Sequence, residues 1–193
     1  GTVSINTAFK YPYNTPAVRM LNRVGVQKGF SYLKPFGFDK IVQNDYRLPA
    51  ALGGFTWGFS PLEMADAFTT FGNNGSYTSS HAITKVTDLK GKTLYKWIDK
   101  PQQVFSMRTN NQMRELLVAV VKEGTGKKAN FSGGYVGGKT GTSNGYRDLW
   151  FVGLTDTYTM SVWVGKEAKG TVEYLHHAGP QLLIWRGTLQ YAS

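Results

Sequence analysis

The sequence predicts an α+β fold, an antiparallel sheet flanked by helices, and three observations carry that prediction. Helical periodicities dominate roughly the first 125 residues, three strand patterns then follow one another between 135 and 166, and a last helical stretch closes the chain. Strands that succeed one another through short connections argue for antiparallel pairing rather than a βαβ repeat. At 193 residues, with 41% hydrophobic and 14% aromatic content, the chain can bury one sizeable core, and neither an internal repeat nor a linker divides it.

The elements read as follows. Thr15 can cap a first helix with Pro16 at its first position; Val18, Leu21 and Val24 fall on one face and Gly25 ends it, so Asn14 stands just before a helix start. Val26 to Leu33 is a shorter amphipathic piece stopped by Pro35. Ser60-Pro61-Leu62-Glu63 has capping-box spacing, and Leu62, Ala65 and Phe68 predict an inward apolar face up to Gly72. β-branched and aromatic residues from Ile83 to Trp97, around Asp88-Leu89-Lys90-Gly91, predict a hairpin.

A longer helix over 109–123 has Thr109 and Gln112 at capping-box spacing, with Met113, Leu116, Leu117 and Val120 on one face. Gly124-Thr125-Gly126 breaks it. Strands are expected over 135–143, 149–155 and 158–166, the last two joined tightly near Asp156, and Gly179-Pro180 opens a final helix through about Tyr191.

Composition excludes several functional classes. Cysteine is absent, which removes disulfide scaffolds, thiol nucleophiles and cysteine metal sites. A formal charge of +10 would attract polyanions, yet the 22 basic residues are scattered, with no basic helical stripe and no aromatic-basic ladder, so a solvated basic surface is preferred and no nucleic acid is expected as partner. No apolar run approaches the roughly 20 residues that span a bilayer, so any membrane anchor is expected outside this chain.

The segment Gly137-Gly138-Lys139-Thr140-Gly141-Thr142 is a poor composition for a buried strand, because glycine weakens it and lysine cannot be left dry. An extended peptide could pair with it as an added strand, with Gly141 letting the backbone approach and the lysine and threonine hydroxyls gripping a terminal carboxylate. Taken alone, the same residues also suit an edge strand whose lysine blocks aggregation.

The surroundings decide between these readings. Asn14-Thr15-Pro16-Ala17-Val18, Ala51-Leu52-Gly53-Gly54, Gly58-Phe59-Ser60-Pro61-Leu62-Glu63-Met64-Ala65, Gly124-Thr125-Gly126, Lys139-Thr140-Gly141-Thr142 and Asp148-Leu149-Trp150-Phe151-Val152-Gly153 follow one another in one order. In these six blocks the chain resembles the C-terminal part of the transpeptidase domain of class A, bifunctional, penicillin-binding proteins over nearly its whole length. The resemblance implies the fold shared by penicillin-recognising serine transpeptidases and β-lactamases, here incomplete. It also implies a D,D-transpeptidase that attacks the D-Ala-D-Ala end of a peptidoglycan stem peptide, passes the acyl group to an amine, and is acylated by β-lactam antibiotics. The expected location is the bacterial cell envelope, at the outer face of the cytoplasmic membrane, with which the absence of cysteine is consistent.

Carried over residue by residue, the resemblance gives Lys139 the positive potential that holds the substrate carboxylate and steers the proton relay. It gives Thr140, Gly141 and Thr142 the substrate contacts, the Thr142 N–H half of the oxyanion hole, and Asn14 a hydrogen bond to the substrate side-chain amide. The family's Ser-x-Asn serine falls on Pro12, which has neither a hydroxyl nor an N–H. Ser4-Ile5-Asn6 matches those letters but lies too early, and Ser4 reads as an ordinary polar residue. Ser31-Tyr32-Leu33-Lys34 has the nucleophile's spacing, but it follows Asn14 instead of preceding it, and Pro35 ends the helix such a pair needs. The attacking serine is therefore expected on an upstream fragment of the same protein, and the chain by itself is expected to be inactive.

Tyr146 could wall the cleft, whereas Trp150 reads as core. His176 and His177 resemble a metal pair, but neighbours on a strand or loop point apart and no third ligand accompanies them, so neither a metal nor an organic cofactor is expected. Two alternatives share the Lys139 strand: a non-catalytic penicillin sensor or wall-binding module, and a D,D-carboxypeptidase or β-lactamase relative.

Overall fold

A computed structural model describes residues 1–166 and 170–192. Three helices come first, α1 (Ile5–Lys10), α2 (Asn14–Val24) and α3 (Val26–Ser31), followed by short 3-10 turns that include Leu48–Leu52. Helix α4 (Pro61–Gly72), strand β1 (Ser76–Tyr77), the hairpin β2 (Lys85–Thr87) and β3 (Thr93–Lys96), strand β4 (Gln102–Gln103) and helix α5 (Met107–Lys122) make up the middle. The sheet strands β5 (Gly137–Thr142), β6 (Asp148–Leu154) and β7 (Thr159–Gly165) follow, then α6 (Glu173–His176) and α7 (Pro180–Ala192). This is the α+β arrangement expected, with a three-stranded antiparallel sheet in the order β5-β6-β7.

Helix starts follow capping chemistry closely. At α4, Ser60 accepts from the Glu63 N–H at 3.3 Å while the Glu63 carboxylate accepts from the Ser60 N–H at 2.7 Å, the reciprocal box read from the sequence. Two caps differ from expectation. Asn14, not Pro16, is the first residue of α2, after Tyr13, which makes no side-chain cap. Helix α5 begins two residues ahead of Thr109, because the Ser106 hydroxyl accepts from the Thr109 N–H at 3.2 Å and takes the cap position. Ser4 is more than an ordinary polar residue: its hydroxyl accepts from the Thr7 N–H at 3.1 Å and starts α1, a helix the sequence pattern did not disclose.

The core forms between the sheet and α7. Phe151 and Val162 present one sheet face to Leu182, Trp185 and Leu189, with Val121 of α5 and Ala129 completing the cluster. Trp185 is wholly buried, meets Phe151 edge-on at 5.1 Å, and donates its indole N–H to the Met160 carbonyl at 3.0 Å. Helix α4 packs across β6 and β7 and α5 lies along β5, so β6 is enclosed on both faces. That enclosure explains its nearly unbroken apolar run, with Leu149, Phe151, Val152 and Leu154 all buried. Leu62, expected to face inward, is 67% exposed on the first turn of α4, where Ala67 and Thr70 make the buried contacts instead. Trp150 is only half buried, opposite Gly141 on β5 and Trp163 on β7.

Candidate active site

Strand β5 ends the sheet, and its residues Lys139, Thr140, Gly141 and Thr142 line a cleft of about 1070 Å³. Register decides what the strand offers there. Ser143 donates its N–H to the Asp148 carbonyl, in the register that pairs Gly141 with Trp150 and Lys139 with Val152. Antiparallel strands alternate between groups that face the neighbour and groups that face away, so Thr140 and Thr142 turn their backbone N–H and C=O to the free edge. The cleft therefore meets an unpaired strand edge together with a lysine and two hydroxyls.

The glycines of β5 have internal reasons. A side chain at Gly138 would come within 2.4 Å of Phe151, and one at Gly137 within 2.3 Å of the Tyr135 hydroxyl. At Gly141 the crowding neighbour is Trp150, with a Cβ falling 3.2 Å from the tryptophan Cβ. The expectation that Gly141 clears the way for a ligand is thus joined by a second demand, close approach to the strand behind.

Lys139 is half buried, and among the described residues no carboxylate pairs with it. Its Nζ donates to the Thr140 carbonyl at 2.9 Å on the free edge and lies 5.8 Å from the centre of the Phe9 ring. Burial without a counter-charge pushes its pKa down to about 8. Thr140 shares a hydrogen bond of 2.6 Å with the Thr125 hydroxyl. The cleft is cationic: Lys127, Lys128 and Lys139 line it, and no Asp or Glu is among its described lining residues.

Asn14, at the N-terminus of α2, lines the same cleft, as does Pro12. The loop that carries both is tied to α5, because Lys10 pairs with Glu123 and the Tyr11 hydroxyl donates to the Glu123 carbonyl at 3.3 Å. An apolar wall comes from Ile5, Phe9, Met20 and Leu52, which sequence reasoning missed as site residues; only Leu52 fell in a block already singled out. Leu52 is carried by a loop that Asp45 organises. The Asp45 carboxylate is buried, accepts from Val42 N–H at 3.0 Å and from the Thr56 N–H and hydroxyl, and these bonds hold its pKa below the usual range.

The other candidates lie differently. Tyr146 is outside the cleft lining and stands one layer back, its ring 4.6 Å from that of His176, which does line it. The Tyr146 φ of 51° is held by the following segment, whose Val172 N–H donates to the Tyr146 carbonyl. His176 and His177 lie at the end of α6 rather than on a strand, with rings 5.4 Å apart and both on the cleft, so they do not point apart. Among the described residues no group of three or more His, Cys, Asp or Glu could hold a metal. Ser31 is exposed, off the cleft, and its hydroxyl donates to the Lys28 carbonyl at 2.7 Å; Lys34 belongs to a separate 3-10 turn.

Comparison with known proteins gives a consistent picture. The model of the penicillin binding protein transpeptidase domain matches residues 1–172. The chain is 69% identical over its whole length to penicillin-binding protein 4 of Bacillus subtilis strain 168, and 38% identical over 91% of its length to penicillin-binding protein 1F of the same organism. It spans only 31% and 25% of those two proteins. Among solved structures, the D,D-transpeptidase domain of a peptidoglycan glycosyltransferase from Eggerthella lenta superposes over 99% of this chain and 54% of its own, with a TM-score of 0.76 at 22% identity, a likeness of fold. Among the described residues no helix is long and apolar enough to cross a membrane.

Proposed function

Because the chain belongs to the penicillin-binding protein transpeptidase family, we propose that it forms the substrate-clamping part of a D,D-transpeptidase that cross-links peptidoglycan stem peptides through a serine acyl-enzyme and is acylated by β-lactams. The single observation that carries this reading is the free edge of β5. An unpaired strand edge, a half-buried lysine without a counter-charge and two threonine hydroxyls meet in one cleft. A D-Ala-D-Ala terminus is an extended peptide ending in a carboxylate, and it matches each of these features.

In this mechanism the stem peptide pairs with the free edge of β5, and its terminal carboxylate is held by Lys139, Thr140 and Thr142. The Thr142 N–H donates to the oxyanion that develops as a serine hydroxyl attacks the penultimate carbonyl. Asn14, lining the same cleft, bonds the substrate's side-chain amide. Pro12 removes the hydroxyl that the family's second motif uses in its relay. Lys139, charged while it holds the carboxylate, supplies the positive potential that steers the remaining proton relay.

The attacking serine comes from outside this chain. Supporting that assignment, the chain spans 31% of penicillin-binding protein 4 of Bacillus subtilis, and the one Ser-x-x-Lys run, at Ser31, is off the cleft. The cleft wall also waits for a covering segment: Ile5 is 62% exposed, Met20 46% and Leu52 49%, and α1 and α2 bury no residue. The protein as a whole then works at the outer face of the bacterial cytoplasmic membrane, held by an anchor elsewhere in the polypeptide.

The native polypeptide, given a pentapeptide stem ending in D-Ala-D-Ala and an amine acceptor, should release D-Ala in step with cross-linked product. Free D-Ala without cross-linked product would instead mean a carboxypeptidase. Neither D-Ala release nor penicillin uptake would mean a non-catalytic module.

A further inference from the structure

We infer that Thr125 is a positioning residue for the carboxylate clamp, ordering the Thr140 hydroxyl so that its proton points at the bound anion. The inference rests on the reading of β5 as a carboxylate clamp and deepens it. Thr125 sits in the Gly124-Thr125-Gly126 turn that ends α5, a block that carries no chemical role in the mechanism above.

Two observations join here. The Thr125 and Thr140 hydroxyl oxygens are 2.6 Å apart, and both residues line the cleft. A hydroxyl pair holds two protons, one of which lies between the oxygens. For Thr140 to donate to a carboxylate, the proton between them must belong to Thr125, which then donates to the Thr140 oxygen and leaves the Thr140 proton free for the ligand. The pairing also polarises the Thr140 hydroxyl, since a hydroxyl that accepts a bond becomes a better donor.

The turn that carries Thr125 is built to hold it still. Its N–H donates to the Lys10 carbonyl at 3.3 Å. A side chain at Gly124 would come within 2.4 Å of that same carbonyl, so only glycine lets α1 lie so close. Gly126 is confined less severely, with a Cβ there falling 3.2 Å from Val120. Lys10 is also the residue whose ion pair with Glu123 ties the loop of Pro12 and Asn14 to α5. The end of α5 therefore holds both the Thr140 hydroxyl and the loop that leads to Asn14. Thr125 is exposed and outside the core, so its exchange for valine leaves the packing beneath it in place.

The test uses the native polypeptide and two penicillins, one with its free carboxylate and one with that carboxylate esterified. Thr125→Val should slow acylation by the free-acid penicillin by about tenfold, the loss of one well-placed hydrogen bond to an anion. It should leave the rate with the ester unchanged, and Thr125→Ser should restore the free-acid rate. Equal slowing of both penicillins, or no slowing of either, would overturn the inference and leave the clamp reading standing. A wild-type protein that reacts with the ester as fast as with the free acid would instead sink the clamp reading, and this inference with it.

Discussion

Methionine at position 139 is expected to slow acylation of the native polypeptide by a penicillin by on the order of a hundredfold or more, the usual scale for deleting a preorganised charged or oxyanion-stabilising group. The size follows from where the ammonium sits. The Lys139 ammonium reaches the free edge of β5 at the Thr140 carbonyl, and the residue is half buried in a cleft with no carboxylate among its described lining residues. Its field therefore falls on whatever anion enters. Lys139→Arg should recover little, because a planar guanidinium does not reproduce the compact ammonium that donates to the Thr140 carbonyl.

The same substitution carries a stability signature of defined sign. The folded pKa of about 8 lies below the ordinary value of 10.5. Below about pH 8 the lysine is charged in both states, and the folded protein bears the full cost of burying it. Between pH 8 and 10.5 the unfolded chain binds the extra proton, so unfolding free energy rises with pH across that window. Lys139→Met lacks this rise and is the more stable protein below pH 8, by at most about 3 kcal/mol, since partial exposure screens the charge. Equilibrium unfolding of both proteins at pH 7 and pH 10 reads the difference directly: a gap that narrows as pH rises agrees, and one that widens does not.

Trp185→Ala is expected to cost about 3–5 kcal/mol, a large share of the roughly 5–15 kcal/mol that holds a typical domain folded. Trp185 has no exposed surface, stacks edge-on against Phe151, and satisfies the Met160 carbonyl. It also lies against Gly153, where a Cβ would fall 2.9 Å from its ring. Alanine leaves a cavity between α7 and the sheet and removes the indole bond to the Met160 carbonyl, whose ladder partner Gly153 remains. The urea midpoint should fall steeply with an unchanged slope, and Trp185→Phe should regain most of the packing but not the hydrogen bond. Phe151, which Trp185 braces, also packs against Gly138 next to Lys139, so the loss would be felt in β5 as well.

Much of this was legible in the residue order, for physical reasons that differ by element. The strands were clear because β6 is apolar on both faces and the turn near Asp156 is short; the structure bounds them at Gly137–Thr142, Asp148–Leu154 and Thr159–Gly165. The hairpin around Asp88 was clear because that carboxylate accepts from the Lys90 and Lys92 N–H groups, a local bond that sequence encodes directly. Helix α1 was hidden because it buries no residue, and what holds it, the Ser4 cap and the bonds of Lys10 to the end of α5, is not visible as a periodic pattern. The start at Met107 was misjudged because Ser106 takes the cap ahead of Thr109, and the start at Asn14 because no side-chain cap marks it.

For the site, chemistry along one strand could be read, and chemistry between strands and helices could not. Lys139, Thr140, Gly141 and Thr142 are contiguous, and Asn14 was found through the Thr-Pro-Ala-Val run that follows it. The apolar wall of Ile5, Phe9 and Met20 gave no such signal, because isolated apolar residues on short helices look alike whether they face a core or a cleft. The Thr125–Thr140 hydroxyl pair joins residues fifteen apart in the chain and is visible only once α5 lies along β5.

Mass-spectrometric mapping of the penicillin adduct on the native polypeptide tests the central claim most directly. A single acylated serine is expected in a Ser-x-x-Lys run outside residues 1–193, and its yield should collapse when Lys139 is replaced by methionine. An adduct on Ser31, or acylation that proceeds undiminished without Lys139, would contradict the assignment of β5 as the clamp of a transpeptidase.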